Sequence, residues 1–338
     1  MRMSMPSREI SYREAVREAM SEAMREDESV FLMGEDVGVY GGAFGVSRGM
    51  IEKFGEERVV DAPLSEAGFV GLCAGAALMG MRPIAEIQFS DFITHCIDQL
   101  VNQAAKTRYM FGGEGKVPIV VRTPGGAGTG AAAQHSQSLE AWFVHVPGLK
   151  VVMPSTPYDA KGLLHAALDD PNPVIFYEHK LLYGKKGDVP EGPYRVPLGE
   201  ARVSREGDDV TAVAAGLVHH FALEAADSLA EVGVELEVVD LRTLSPMDHA
   251  TVARSVEKTG KLIVVEEDAK TGGWGAEVIS RIVENGSFYA LDRAPARVAA
   301  EDVPIPYNKN LEAYIRPSSE KVVDAVHALL DTREGVYS

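Results

Sequence analysis

In residues 11–27, SYREAVREAMSEAMRED, the apolar positions Ala15, Ala19, Met20 and Ala23 recur at a spacing near 3.6. That period predicts an amphipathic helix. Ser11 and Glu14 stand three apart at its start, the spacing of a capping box. VFLMG (30–34) predicts a short buried strand, followed by a glycine-rich loop. A run of small residues predicts a helix over about 65–80, and DFITHCIDQLVNQAAKTRY a second one over 91–109. VPIVVRTP (117–124), LKVVMP (149–154) and PVIFYE (173–178) predict strands, with a helix at 158–170. Apolar strands alternating with helices predict an α/β fold whose parallel sheet is covered on both faces.

Residues 180–199, KLLYGKKGDVPEGPYRVPLG, interrupt this rhythm with proline, glycine and charge, as linkers do. Strands are then expected at 209–216, 234–241 and 261–267, and helices at 219–231, 248–258, 274–285 and 318–330. The expectation is two parallel-sheet α/β domains, residues 1–185 and 200–338, joined by a linker at 186–199. A length of 338 residues suits two domains of ~100–200 residues each.

Composition narrows the partners. The net charge of −17 opposes binding to nucleic acid or an anionic membrane. The longest apolar run, VGLCAGAALMGM (70–81), falls short of the roughly 20 residues that span a bilayer. MRMSMPSREIS has no apolar stretch of the signal-peptide kind. Cys73 and Cys96 lie in apolar contexts and are expected as buried free thiols. Such thiols suit a reducing compartment, so a cytoplasmic location is expected.

Three segments set one polar or aromatic group in an apolar frame: PLSEAGFVG (63–71), EIQFSDF (86–92) and AAQHSQS (132–138). Glu66 opens the small-residue helix, where desolvation disfavours its charged form. Such a carboxyl can pass a proton near neutral pH. A first-turn glutamate interacting with the helix dipole explains the position as well. Phe92 reads equally as a core phenylalanine. His135 ends the loop TPGGAGTGAAAQ, whose glycines let backbone approach a ligand; a structural histidine is the alternative. Gln88, at a strand end before Phe92, is expected to point towards the substrate side and is a candidate cofactor-binding residue. The other histidines match no catalytic motif, and His95 reads as part of the same helix as Cys96.

With GEDVG (34–38), GVSRG (45–49), HVPGLKVVMPSTPYDAKGLL (145–164), DLRTLSPMD (240–248) and TGGWGAE (271–277), these segments form an ordered set from about residue 30 to 330. The set resembles the beta subunit of the thiamine-diphosphate-dependent first component of 2-oxoacid dehydrogenase complexes. The resemblance implies a pyrimidine-binding domain followed by a transketolase C-terminal-like domain. It implies that Glu66 activates the cofactor by sharing a proton with its pyrimidine ring, and that Phe92 stacks on that ring. His135 would face the thiazolium and assist either the intermediate or the acyl transfer to lipoamide. It also implies a structural potassium ion held by oxygens of Ile119, Ala167, Leu168, Asp170 and Asn172. A helix end running into a Pro-Asn-Pro turn is an equally good reading of that last segment.

The family's diphosphate-holding metal motif, Gly-Asp-Gly followed by Asn, is missing here. The resemblance therefore implies an alpha subunit that supplies the magnesium site, in an alpha2beta2 heterotetramer docked on a lipoyl-bearing acyltransferase core. Pyruvate, a branched-chain 2-oxoacid or acetoin fits as substrate. RYMFGG (108–113) is similar to acetoin dehydrogenase beta chains, EIQFSDF to branched-chain ones, and EDVPIPYNKNLE (301–312) to pyruvate dehydrogenase. A non-catalytic interaction subunit is opposed by the presence of Glu66 and His135. A lone nicotinamide-dependent dehydrogenase is opposed by the missing glycine fingerprint, and a one-chain transketolase-like enzyme by length and the missing metal motif.

Overall fold

A computed structural model describes residues 6–330; the outer ends of the two expected domains, 1–5 and 331–338, lie outside it. The chain begins with β1 (Ser7–Ser11), α1 (Tyr12–Glu26), β2 (Val30–Gly34), α2 (Ile51–Phe54), β3 (Val59–Asp61), α3 (Glu66–Leu78) and β4 (Arg82–Glu86). It continues through α4 (Ala105–Met110), β5 (Val120–Gly125), α5 (Glu140–Val144), β6 (Lys150–Val152), α6 (Pro157–Asp169), β7 (Val174–His179) and β8 (Lys186–Pro190). The remainder holds β9 (Arg202–Arg205), β10 (Val210–Ala214), α7 (Leu217–Ala230), β11 (Leu236–Asp240), β12 (Thr243–Ser245) and α8 (His249–Thr259). It ends with β13 (Leu262–Ala269), α9 (Gly275–Glu284), β14 (Ala296–Ala300), α10 (Lys309–Ile315) and α11 (Ser319–Leu330).

The capping box forms as the sequence predicts. Ser11 Oγ accepts from Glu14 N at 3.4 Å, and Glu14 Oε2 accepts from Ser11 N at 2.8 Å. Every residue of β2, β7, β10 and β11 is buried, because helices cover both faces of each sheet. One sheet has seven strands in the order β12-β6-β7-β5-β4-β2-β3, and the other five in the order β14-β13-β10-β11-β9. Each is parallel except for one antiparallel edge strand, β12 in the first and β9 in the second. The α/β class with two parallel sheets is thus present.

Three features depart from the sequence reading. Residues 91–109 are helical but not one α-helix. A 3-10 segment (Ser90–Cys96) passes into a π segment (Asp98–Ala104), and only α4 is α-helical. Thr94 Oγ1 donates to the Asp91 carbonyl at 2.8 Å, which competes with regular helix bonding there. Residues 186–199, read as a linker, contribute β8, which pairs antiparallel with β1. Finally, β12 comes from the second half of the chain yet pairs with β6 in the first sheet. One apolar cluster joins Phe143, Val151 and Tyr177 to Val213, Val239 and Val264, so the halves share a core. Cys73 and Cys96 are buried, and burial pushes both thiols up to about 12.

Arg122 of β5 is fully buried between two carboxylates on the neighbouring strands. Its Nη1 donates to Glu86 Oε2 at 2.5 Å, its Nε to Glu178 Oε1 at 2.6 Å and its Nη2 to Glu178 Oε2 at 2.8 Å. Burial alone would lower the guanidinium, but Glu178 and Glu86 outweigh it and hold the group charged. Arg122→Met would leave two buried carboxylates without their cation, a loss of ~3–5 kcal/mol. Denaturant melts of the two proteins check this; a midpoint equal to wild type would refute it.

Candidate active site

In open α/β sheets, ligands bind beyond the carboxyl ends of the strands. Here β3, β2, β4 and β5 lie side by side, and their carboxyl ends deliver the residues singled out from sequence. Glu66 follows β3 as the first residue of α3 and is buried. Gln88 and Phe92 follow β4, and His135 ends the loop after β5.

Phe92 lies between two imidazoles. The His135 ring meets it edge-on at 5.3 Å between centroids, and the His95 ring lies parallel to it at 6.0 Å. Phe89 also packs against His135, at 4.7 Å. The Glu66 Oε2 atom is 3.1 Å from His95 Nδ1. Glu66, His95, Phe92 and His135 therefore form one continuous row. The Gln88 amide turns away from it, donating to Asp36 Oδ2 at 3.3 Å and the Glu35 carbonyl at 3.5 Å.

The sequence reading passed over three members of this neighbourhood. His95 follows Phe92 by three residues, the spacing of neighbours on a helical face, and that was an available signal. Glu35 sits beside Glu66 at the end of β2. Burial pushes its carboxyl up, and the neighbouring Glu66 charge adds to this. Its Oε1 is buried without a partner. Lys180 donates to the His135 carbonyl from beneath the loop and lies 5.6 Å from the centre of the Phe89 ring. Burial lowers its ammonium below the ordinary lysine value.

The glycines after β5 serve the chain itself. Gly126 has φ +84°, and a side chain there would overlap the His179 ring. Ala127 N donates to Glu267 Oε1 at 2.8 Å, and Gly128 N to Glu312 Oε1 at 2.7 Å. Burial works against the Glu267 charge, but His179 at 2.9 Å and the Ala127 N–H hold its carboxyl below the usual range. A cavity of about 690 Å³ is lined by Gln134 of this loop together with Gln137, Trp142, Asp268, Thr271 and Asp302.

The residues of the expected potassium loop lie where β5 begins and α6 ends. The oxygens of four of them already have partners. Ile119 O accepts from Val174 N at 2.9 Å, and Ala167 O from Asp170 N at 3.2 Å. Leu168 O accepts from the Arg82 guanidinium, and the Asp170 carboxylate pairs with Lys150 while accepting from Asn172 Nδ2 at 2.8 Å. Among the described residues, no group of three or more His, Cys, Asp or Glu side chains could hold a metal ion. No helix among them is long and apolar enough to cross a membrane.

Comparison with known proteins agrees with this architecture. Residues 8–186 match the family described as transketolase, pyrimidine binding domain, and residues 199–322 match transketolase, C-terminal domain. The chain is 48% identical to the pyruvate dehydrogenase E1 component subunit beta of Rhizobium meliloti, covering 95% of this chain and 70% of that one. It is 47% identical to the beta subunit of acetoin:2,6-dichlorophenolindophenol oxidoreductase of Bacillus subtilis, covering 96% and 98%. It is 48% identical to the 2-oxoisovalerate dehydrogenase subunit beta of the same organism, covering 95% and 99%. Among solved structures, a split-gene transketolase, described as an inactive beta4 tetramer, superposes with a TM-score of 0.78 at 25% identity, covering 95% of this chain and 98% of that one. The chain belongs to the beta-subunit family of 2-oxoacid dehydrogenase first components, built from transketolase pyrimidine-binding and C-terminal domains.

Proposed function

We propose that this chain is one half of a thiamine-diphosphate enzyme that oxidatively decarboxylates a 2-oxoacid, pyruvate or a branched-chain one, and passes the acyl group to lipoamide. The observation that carries this reading is the row Glu66, His95, Phe92 and His135 beyond the carboxyl ends of the strands, with no diphosphate-holding motif in the sequence. The buried carboxyl, the aromatic face and the orphaned Glu35 oxygen fit the aminopyrimidine end of the cofactor. When bound, thiamine diphosphate supplies a carbanion that attacks a carbonyl and takes up the electrons left by carbon dioxide. Glu66 holds and releases the proton shared with the pyrimidine nitrogen. Phe92 offers its face to that ring, and His135 stands at the far end of the row for the later proton transfers. The diphosphate and its magnesium ion fall to an alpha chain in an alpha2beta2 assembly, and the acyl group leaves through a lipoyl-bearing acyltransferase core.

Other parts of the reading rest on less. The division into domains at 186–199 follows the break between the two sheets. A potassium ion at Ile119, Ala167, Leu168, Asp170 and Asn172 would share its oxygens with Arg82 and Lys150. Cytoplasmic location is supported by the two buried free thiols. Acetoin is the alternative substrate, favoured by relatives equally similar over the full chain.

Reconstitution tests the proposal. The isolated chain is expected to turn over neither 2-oxoacid nor acetoin. Mixed with its alpha partner, thiamine diphosphate and magnesium, it is expected to turn over one substrate of a panel, by decarboxylation of pyruvate or a branched-chain 2-oxoacid or by carbon–carbon cleavage of acetoin. Turnover by the isolated chain at the rate of the mixture would sink the half-site reading.

A further inference from the structure

The loop that carries His135 is gripped from the far end of the chain. Glu312, on α10, is 2% exposed. Its carboxylate accepts from Gly128 N at 2.7 Å and from Gly130 N at 3.1 Å and 3.3 Å. Gly126, Gly128, Gly130 and Ala132 all have positive φ, so the backbone curls, and the N–H groups of Gly128 and Gly130 converge on one point. Such a concavity binds anions. Here the anion is a side chain of the same polypeptide. Glu267 takes the adjacent Ala127 N–H, and Arg316 Nη1 donates to the Ala127 carbonyl at 3.4 Å. Beyond the loop, Lys180 secures the His135 carbonyl.

We propose that Glu312 is a positioning residue for His135: its carboxylate closes the glycine loop into the one shape that brings the imidazole against Phe89 and Phe92. The functional part of this proposal rests on the role given to His135 above. Removing the carboxylate frees two N–H groups and lets the loop sample other shapes. Glutamine in its place keeps one oxygen acceptor and restores part of the grip. The second half of the chain then has a task in catalysis, apart from assembly.

The test uses the fully assembled enzyme with Glu312→Ala, Glu312→Gln and a control, Asn308→Ala. Asn308 caps α10 through its side-chain oxygen, which accepts from Asn310 N and Leu311 N, so its loss weakens the start of the helix without removing the Glu312 carboxylate. Amide hydrogen exchange across residues 125–136 and the rate of lipoyl acylation are measured together. In Glu312→Ala, exchange is expected to rise by at least about tenfold, and acylation to fall about 10–100-fold, the scale of a misplaced catalytic group. Glu312→Gln should lie between, and Asn308→Ala near wild type. Unchanged exchange in Glu312→Ala overturns the proposal. So does lost protection with normal acylation, if His135→Ala is slow in the same assay. Normal acylation by His135→Ala overturns the reading of His135 instead, and exchange alone then decides whether Glu312 holds the loop.

Discussion

Glu66→Gln is expected to lower turnover of the assembled enzyme by ~10²–10⁴-fold or more, the scale of a lost acid–base group. Glutamine keeps the shape and can still meet His95, but it cannot take up or release the proton. A structural explanation of such a loss would be too small. Glu66 sits in the first turn of α3, where a carboxylate stabilises a helix by about 0.3–1 kcal/mol. Association with the alpha chain should therefore survive, as size-exclusion chromatography of the mixture would show. Near-normal turnover in the assembled variant would reduce Glu66 to a helix-start residue.

His135→Ala is expected to separate two steps. The loop is anchored through backbone atoms, by Glu312 and Glu267 at its start and by Lys180 at the His135 carbonyl. None of these bonds needs the imidazole, so the loop should hold its place. Cofactor affinity should stay within a few-fold of wild type, because Glu66 and Phe92 are untouched. Lipoyl acylation should fall ~10²–10⁴-fold if the imidazole serves as acid or base there. Stopped-flow measurement of decarboxylation beside an acylation assay distinguishes the two. Wild-type rates in both would leave His135 a structural residue.

Local signals in the sequence reached as far as local physics does. The capping box at Ser11 and the 3.6 period of α1 were both legible, since contacts within one turn decide them. So were the fully buried strands, whose apolar runs need no partner to be recognised. The β1–β8 ribbon was hidden because its second strand, KGDVP, has the composition of a linker. Its pairing depends on residues about 180 positions earlier. From sequence, the glycines before His135 make room for a ligand. The property is real, but the groups that enter are Glu267 and Glu312, and no sequence pattern links position 128 to position 312. His95 was missed for a similar reason. Sequence places it on the helix of Cys96, three residues after Phe92, but nothing local shows that Glu66, 29 positions earlier, stands beside it.

The strand exchanged between the halves bears on how such a protein can be taken apart. β12 covers the open side of β6, and the apolar cluster beneath continues into the second sheet. A gene cut at the composition break would yield a first fragment with a bare strand edge and an uncovered apolar face, both of which recruit other chains. The two family segments, 8–186 and 199–322, meet the eye as separate modules. In this molecule they share a sheet and an apolar cluster, so each covers surface that the other would otherwise expose.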